Sequence, residues 1–287
     1  QIGEGVYMAR ARKTLISVES TPYYHVVSRC VRRSFLCGVD PLTGNDYEHR
    51  RGLIENKLLI LTEAFSIDIC AYAIMSNHYH LVLHINRSQA MNWDMKTIIE
   101  RWHQLFSGSL FSQKYIKNEP LLEAELDQLQ LQVEQWRERL MDISWFMRVL
   151  NEFIARSANA EDNCTGRFWE GRFYSQALLD DAALAACMAY VDLNPIRAGM
   201  ADQLEDSDYT SIQQRIQSAK NTDAPNHTNQ QPTKLYPFVG DYRNNMPDGL
   251  PFKLTDYLEL VEETGQCILK KKKIKNKKKL KNKKKKK

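Results

Sequence analysis

Three histidines lie close together in the segment SNHYHLVLHI, residues 76–85. Side chains on a strand alternate between the two faces, so His78, His80 and His84 would all point to the same side. Two imidazoles at this spacing can share one metal ion, although polar residues on a solvated sheet face give the same pattern. Imidazole suits zinc or manganese better than magnesium, so the spacing alone does not determine the ion.

A second candidate is Tyr190, in the segment DDAALAACMAYVDLNPIRAG, residues 180–199. This segment predicts a helix that begins with an Asp N-cap and ends at Asn-Pro. Tyr190 lies off the apolar stripe of that helix, so its ring could face a cleft or remain half-buried at the surface. Asn194, four residues later, could share this helix face, but the proline that follows it disfavours helical geometry there.

A tyrosine beside a metal site could cut a phosphodiester bond. Tyrosine is a poor nucleophile at neutral pH because its pKa is about 10. A metal ion that polarises a phosphodiester oxygen would lower the barrier. The product would be a covalent phosphotyrosine link to DNA, which conserves the energy of the broken bond and lets the strand be rejoined.

The elements that must position these residues follow the order β-α-β-β-α-β. In chain order they are a strand over 23–30, a helix over 49–65, strands over 67–75 and 78–85, a helix over 92–106 and a strand in the second half of 166–179. This order predicts an α+β fold with a ferredoxin-like βαββαβ core, in which helices cover one face of an antiparallel sheet.

A helical insertion over residues 116–164 delays the last strand. Its apolar residues recur alternately four and three apart from Leu122 to Ile154, which is a heptad stripe. One long helix and two helices broken near residues 141–144 fit this stripe equally well. We expect an inserted subdomain that buries the stripe on itself, rather than a coiled coil between two copies of the chain.

The rest of the chain predicts a simple organisation. The main domain would span residues 8–215, followed by a polar linker over 216–235, a small helical segment over 236–269 and a disordered tail over 270–287. Residues 1–7 precede a natural start at Met8, and we expect them to be a non-native leader.

The positive charge is concentrated in the tail. The formal net charge is +5, from 40 Lys and Arg against 35 Asp and Glu, but residues 270–287 hold 14 of the lysines and no acid. The remainder is therefore acidic. The lysine-rich tail over residues 270–287 cannot bury enough apolar surface to fold. It could bind nucleic acid non-specifically through its lysines, or be a translated A-rich stretch without a function.

The composition also excludes some classes of protein. At 287 residues and 43% hydrophobic, the chain can bury a sizeable core. It has no apolar run of 18 residues and no secretory leader pattern, so we expect a cytoplasmic protein without a membrane partner. Its six cysteines are scattered singly, which argues against a zinc ribbon or a disulfide framework.

Several segments resemble one family in matching order. SNHYHLVLHI resembles the His-hydrophobic-His motif of the HUH single-strand endonucleases, and AYVDLNPIRAGM resembles the tyrosine helix of the REP-associated tyrosine transposases. YYHVVSRCVRRSFLCG, RFWEGRFYSQAL and SDYTSI are similar to other segments of this group. The resemblance covers residues 8–215, while the long insertion exceeds the minimal family domain and the lysine tail matches nothing in it.

The resemblance implies a metal-dependent endonuclease and strand transferase for single-stranded DNA, located with the nucleoid in the cytoplasm. Such enzymes act at palindromic hairpins through a 5′-phosphotyrosine and leave a free 3′-hydroxyl. It implies that Tyr190 is the nucleophile, that His78 and His80 bind Mg²⁺ or Mn²⁺, and that Asn194 completes or orients the metal site. The arginines expected to contact DNA are Arg29, Arg32, Arg33 and Arg172.

Two alternatives remain open at this point. The chain could bind a DNA hairpin without cutting it, or it could be a metal hydrolase that uses water as the nucleophile. Substituting Tyr190 with Phe would change nothing in the first case, and in the second it would leave cleavage without a covalent adduct.

Overall fold

The computed structural model describes residues 21–31, 36–40 and 43–284. The predicted leader over residues 1–7 lies outside this part of the chain. So do Arg32 and Arg33, two of the four arginines predicted to contact DNA.

One antiparallel sheet of four strands forms the centre of the described structure. The strands are β1 (Tyr23–Arg29), β2 (Ile67–Ile74), β3 (His78–Ile85) and β4 (Tyr174–Ala177), in the order β2-β3-β1-β4. β1 and β2 flank β3 and are both antiparallel to it, so they run parallel to each other, as in a split βαβ unit. The predicted α+β fold with a ferredoxin-like core is confirmed, but helices cover both faces of the sheet and not one, because the helices after β4 pack on the other face.

The first face of the sheet, which carries Leu81 and Leu83, packs against the helices of the predicted core. Leu58 and Ile98 belong to the same buried cluster as these two strand residues. The helices are α1 (His49–Ala64), α2 (Arg87–Asn92), α3 (Met95–His103) and α4 (Leu110–Ile116).

The insertion forms two helices, α5 (Glu123–Leu140) and α6 (Ile143–Glu161). The Asp142 carboxylate accepts a hydrogen bond from the Ser144 backbone N–H and caps the start of α6. The heptad stripe is buried from Leu129 to Ile154, but within the same cluster as the sheet. The expectation of a stripe buried on itself was therefore wrong: α5 packs on α3 and α6 on α1, so the insertion extends the main core.

The second face of the sheet, which carries Val82, is covered by the helices that follow β4. Ala71 and Ala73 of β2 have small side chains, which allow Leu184 and Met188 to pack closely against the sheet. The helices on this side are α7 (Asp181–Asp192), α8 (Asn194–Ala198), α9 (Ser211–Lys220) and α10 (Leu254–Lys284).

The C-terminal part is more helical than its composition predicts. The predicted linker over 216–235 begins inside α9, and the predicted tail over 270–287 continues α10 as far as Lys284. Lysine is a good helix former, and buried Tyr257 and Val261 anchor the first half of α10. Within the described ranges, no helix combines the length and the apolar character that a membrane span needs.

Candidate active site

A cleft of about 730 Å³ opens on the second face of the sheet, between β1, β3, β4 and α7. It brings together four of the predicted site residues, Arg29, His80, Arg172 and Tyr190, whereas His78 and Asn194 do not line it. The lining side chains that matter below are His25, Arg29, His80, Arg172, Tyr174 and Tyr190.

Another cavity, of about 530 Å³, lies between α9 and α10. Its walls are aliphatic and acidic, with Leu258, Glu205 and Glu262 among them. It contains none of the predicted site residues.

His78 and His80 lie on the same face of β3, with ring centroids 4.9 Å apart. Burial lowers the pKa of His78 to about 4, with a further contribution from the positive charge of Arg29. Burial, followed by the neighbouring His78 and His25, lowers the pKa of His80 to about 3. Both rings are therefore neutral at pH 7, which is the form that binds metal ions.

His25, which the sequence did not single out, hydrogen-bonds to His80. The two rings are stacked with centroids 5.2 Å apart, and His25 Nε2 lies 3.0 Å from His80 Nδ1. This contact occupies Nδ1, so Nε2 is the nitrogen that remains for a ligand. His80 Nε2 is buried and has no hydrogen-bond partner among the described residues. A buried nitrogen without a hydrogen-bond partner destabilises the folded state unless a ligand binds it.

The second histidine presents the same nitrogen. His78 Nδ1 lies 2.6 Å from the Asn77 side-chain oxygen, which can only accept a hydrogen bond. The proton of His78 is therefore on Nδ1, and Nε2 carries the lone pair that a metal ion needs.

Tyr190 stands at the edge of this histidine group. Asp180 caps the start of α7 by accepting a hydrogen bond from the Ala183 N–H at 2.7 Å, which sets the helix in register. The Tyr190 ring centroid is 5.7 Å from that of His80, in an edge-on arrangement, and the ring is 39% exposed. The guanidinium of Arg197 lies 5.0 Å from the ring centroid. Tyr190 and His80 line the same cleft, so one ligand in it could contact both.

Asn194 is buried beneath the last turn of α7, which carries Tyr190 and is called the tyrosine turn below. Its side-chain amide donates a hydrogen bond of 3.1 Å to the backbone oxygen of Tyr190. Leu193, between α7 and α8, has helical backbone angles, so Pro195 does not turn the chain away. Asn194 thus stays one turn below Tyr190, as a continuous helix would place it, and it holds the end of α7.

Asp192 fixes the same turn to the rest of the protein, which the sequence did not indicate. Its buried carboxylate accepts hydrogen bonds from Ser211 Oγ at 2.5 Å, the Ile212 N–H at 3.1 Å and the Tyr257 hydroxyl at 2.5 Å. These groups belong to α9 and α10. Burial raises the pKa of Asp192 to about 6, although the hydrogen bonds and the nearby Arg215 act in the opposite direction.

The rim of the cleft is basic. Arg29 is exposed and lies opposite His78 in the β1–β3 ladder, and Arg172 is exposed on the segment that leads into β4. Glu170 also lines the cleft. Two arginines around an opening that contains neutral histidines suit a phosphate.

His84, the third histidine of the motif, lies away from the cleft. Its Nδ1 is 2.9 Å from an Asp68 carboxylate oxygen, and its ring stacks on Tyr236 at 4.4 Å. These contacts give it a structural role.

The residues at the cleft fit a divalent ion in part. His78 and His80 supply two neutral imidazoles, and the orphaned Nε2 of His80 is accounted for if it binds an ion. Across the part of the chain that the structure describes, no three or more His, Cys, Asp and Glu side chains form a metal-binding group. The remaining ligands would therefore be oxygen atoms of water or the substrate, with the amide oxygen of Asn194 as a further candidate that does not line the cleft, and such a mixed nitrogen and oxygen set suits manganese.

Comparisons with known proteins give one structural likeness. No protein family model matches the chain, and no curated protein matches it. Among solved structures, a REP-associated tyrosine transposase bound to a REP hairpin is similar, with a TM-score of 0.43 and 13% sequence identity over 86% of this chain and 98% of that one. Because the TM-score is below 0.5, this likeness assigns no function and no residue role to the chain.

Proposed function

We propose that this protein is a metal-dependent single-strand DNA endonuclease and strand transferase, which acts at hairpin DNA through a 5′-phosphotyrosine intermediate. The observation that carries the proposal is the juxtaposition of Tyr190 with His80, whose buried Nε2 has no partner in the described residues. The motifs SNHYHLVLHI and AYVDLNPIRAGM, which resemble those of the REP-associated tyrosine transposases, support the same reading.

In this proposal the phenol oxygen of Tyr190 attacks the phosphorus of a DNA phosphodiester. A new bond joins that oxygen to phosphorus, and the bond to the 3′ oxygen breaks. The 3′ oxygen takes the proton that the phenol gives up and leaves as a hydroxyl. The 5′ phosphate remains on Tyr190, so a later attack by a 3′-hydroxyl can rejoin the strand.

The other residues of the cleft would hold the reacting groups. Arg29 and Arg172 would bind phosphates of the strand at the rim. Asn194 and Asp192, through their hydrogen bonds, would keep the tyrosine turn in place during attack. Effective positioning of a nucleophile supplies a large part of the barrier reduction in such reactions.

His78 and His80, with Asn194, are the residues that would hold Mg²⁺ or Mn²⁺. The bound ion would act as a Lewis acid that stabilises the negative charge developing on the phosphodiester oxygens. The hydrogen bond at Nδ1 of each ring would keep Nε2 directed to the ion, as outer hydrogen bonds commonly do for metal-binding histidines.

The experiment that tests the proposal looks for a covalent protein–DNA species. The protein is incubated with a labelled single-stranded hairpin oligonucleotide and MnCl₂ or MgCl₂, then run on a denaturing gel beside Tyr190→Phe. We expect an adduct that requires the metal and is absent for Tyr190→Phe, which should still bind the oligonucleotide. Binding without an adduct in the wild type would favour a non-catalytic hairpin-binding protein, and cleavage without an adduct would favour water as the nucleophile.

A further inference from the structure

Tyr174 is an exposed aromatic residue in the same cleft, and the proposed chemistry does not use it. Its side chain is 61% exposed. Within the described residues its ring has no aromatic neighbour and its hydroxyl has no hydrogen bond. The exposed Tyr174 ring at the wall of this basic cleft is therefore available to a ligand.

The pairing of the strands places Tyr174 in line with the candidate metal site. Val27 on β1 lies opposite His80 on β3 and opposite Tyr174 on β4. Residues paired across a sheet share a face, so the three side chains form one row on the second face. With neighbouring strands about 4.8 Å apart, the Cα atoms of His80 and Tyr174 are separated by about 10 Å.

Tyr174 lies on the outer side of this row. β4 is the last strand in the order β2-β3-β1-β4, so among the described residues no strand lies beyond it. Arg172, two residues earlier, lines the same wall. A nucleic-acid strand bound across His80 would therefore leave the sheet beside the Tyr174 ring, with a cation available for its backbone.

Two tryptophans that could also bind bases are not available. Trp102 stacks on Trp136 with ring centroids 5.1 Å apart and is buried. Trp169 packs edge-on against Tyr79, and its indole N–H donates to the Asn151 backbone oxygen at 2.9 Å. Both rings are used in the core.

We infer that Tyr174 is a stacking platform for an unpaired nucleobase that flanks the phosphate attacked by Tyr190. The inference rests on the proposed function for the identity of that phosphate, whereas the base-binding subsite itself needs only single-stranded nucleic acid in the cleft. Stacking on an aromatic ring is tolerant of sequence, because every base has a π-face. This subsite would hold the strand beside the reacting phosphate without reading its sequence.

The test measures binding to a hairpin oligonucleotide that carries 2-aminopurine in its single-stranded flanks, whose fluorescence is quenched when the base stacks. Wild type, Tyr174→Ala, Tyr174→Phe and Tyr242→Ala are compared without added metal, so that no cleavage intervenes. Tyr242 is the matched control, since it is another exposed tyrosine and bonds to Asp181 at the far end of α7. Circular dichroism checks that each variant is folded.

We expect Tyr174→Ala to bind about 5- to 150-fold more weakly and to lose the quenching at one flank position, because stacking contributes about 1–3 kcal/mol per base. Tyr174→Phe should stay within about twofold of the wild type and keep the quenching, and Tyr242→Ala should match the wild type. Equal binding and quenching by Tyr174→Ala would overturn the subsite, as would a Phe variant as weak as the Ala variant.

The two proposals fail in different ways. A wild type that forms the covalent adduct while Tyr174→Ala binds normally refutes the subsite and leaves the strand-transfer function intact. A wild type that binds and quenches but forms no adduct supports the subsite and refutes the chemistry. A wild type that does not bind the oligonucleotide overturns both.

Discussion

His25 Nε2 and His80 Nδ1 are 3.0 Å apart, on neighbouring strands of the central sheet. The two residues are 55 positions apart in the chain. This contact fixes the orientation of the His80 ring and leaves its Nε2 for a ligand. In metal sites, partners of this kind set the ring tautomer and the basicity of the ligating nitrogen.

Removing His25 should weaken metal binding. We expect His25→Ala to lower the affinity for Mn²⁺ by about 10–100-fold, the usual loss when an outer partner of a ligating histidine is removed. Isothermal titration calorimetry with MnCl₂ alone measures this without relying on activity. His84→Ala is the control, since His84 bonds to Asp68 away from the cleft, and its affinity should not change. An equal loss in both variants would contradict a specific role for His25.

The basic rim should be visible in the salt dependence of DNA binding. Arg172→Ala should weaken binding of a single-stranded oligonucleotide and reduce the slope of log K against log salt concentration by about 0.7, the value for one phosphate contact. Fluorescence anisotropy between about 50 and 200 mM salt gives this slope. Arg156→Ala is a suitable control, because Arg156 is exposed on α6 and pairs with Glu152. An unchanged slope for Arg172→Ala would show that this arginine contacts no phosphate.

The buried Asp192 should stabilise the whole fold as well as the tyrosine turn. At pH 7, Asp192→Ala should lower the free energy of unfolding by about 3 kcal/mol, because it leaves the Tyr257 hydroxyl and the Ile212 N–H buried without an acceptor and removes the nearer acceptor of the Ser211 hydroxyl. Urea denaturation measures the change. Asp202→Ala, at an exposed position, should stay within about 0.5 kcal/mol of the wild type. If Asp192→Ala lost no more stability than Asp202→Ala, the hydrogen-bond network around Asp192 would be contradicted.

The same carboxyl group should give a pH dependence of stability. Its pKa is raised from 3.8 to about 6 in the native state, so the part of the stability that depends on its protonation is complete below about pH 3.8 and is lost as the pH rises through about 6, while its hydrogen bonds remain. Relative to Asp192→Asn, which does not ionise, the wild type should therefore lose on the order of 3 kcal/mol between pH 4 and 7.

Comparing the two proteins at each pH removes the effect of the cleft histidines. Their lowered pKa values favour the native state as the pH rises, but they are common to both proteins and cancel in the difference. If the wild type gained stability relative to Asp192→Asn over this range, the Asp192 pKa would not be raised.

Much of the fold could be predicted from local patterns. Strand alternation in HYHLVLHI placed His78 and His80 on one face, and the helical spacing around Tyr190 left that residue off the buried stripe; the structure has both arrangements. Asp180 was recognisable as an N-cap because its effect is local to the first turn of α7. Patterns of this kind depend on a few neighbouring residues, which a sequence displays directly.

The parts that could not be predicted depend on contacts between distant segments. His25 looked like a single polar residue in an apolar strand, and only the pairing of β1 with β3 brings it to His80. Its alternation with Val27 and Arg29 was the available signal, since it puts all three on one face. Asp192 likewise shows its role only when α9 and α10 pack against α7.

The C-terminal helix shows another limit of composition. A lysine-rich segment predicts a solvated coil, because it has little apolar surface to bury. In the structure α10 continues to Lys284 from an anchored first half, and Lys272 donates a hydrogen bond of 2.6 Å to the backbone oxygen of Ile196 in α8. Tertiary anchoring upstream thus extends a helix that composition alone does not indicate.

The most direct test of the central claim is to identify the residue that carries the DNA. After reaction of the wild-type protein with a hairpin oligonucleotide and MnCl₂, nuclease and protease digestion followed by mass spectrometry would locate the nucleotide-bearing peptide. We predict a nucleotide joined through its 5′ phosphate to Tyr190, together with a released strand that ends in a 3′-hydroxyl. An adduct on any other residue, or cleaved DNA with no modified peptide, would contradict the proposed mechanism.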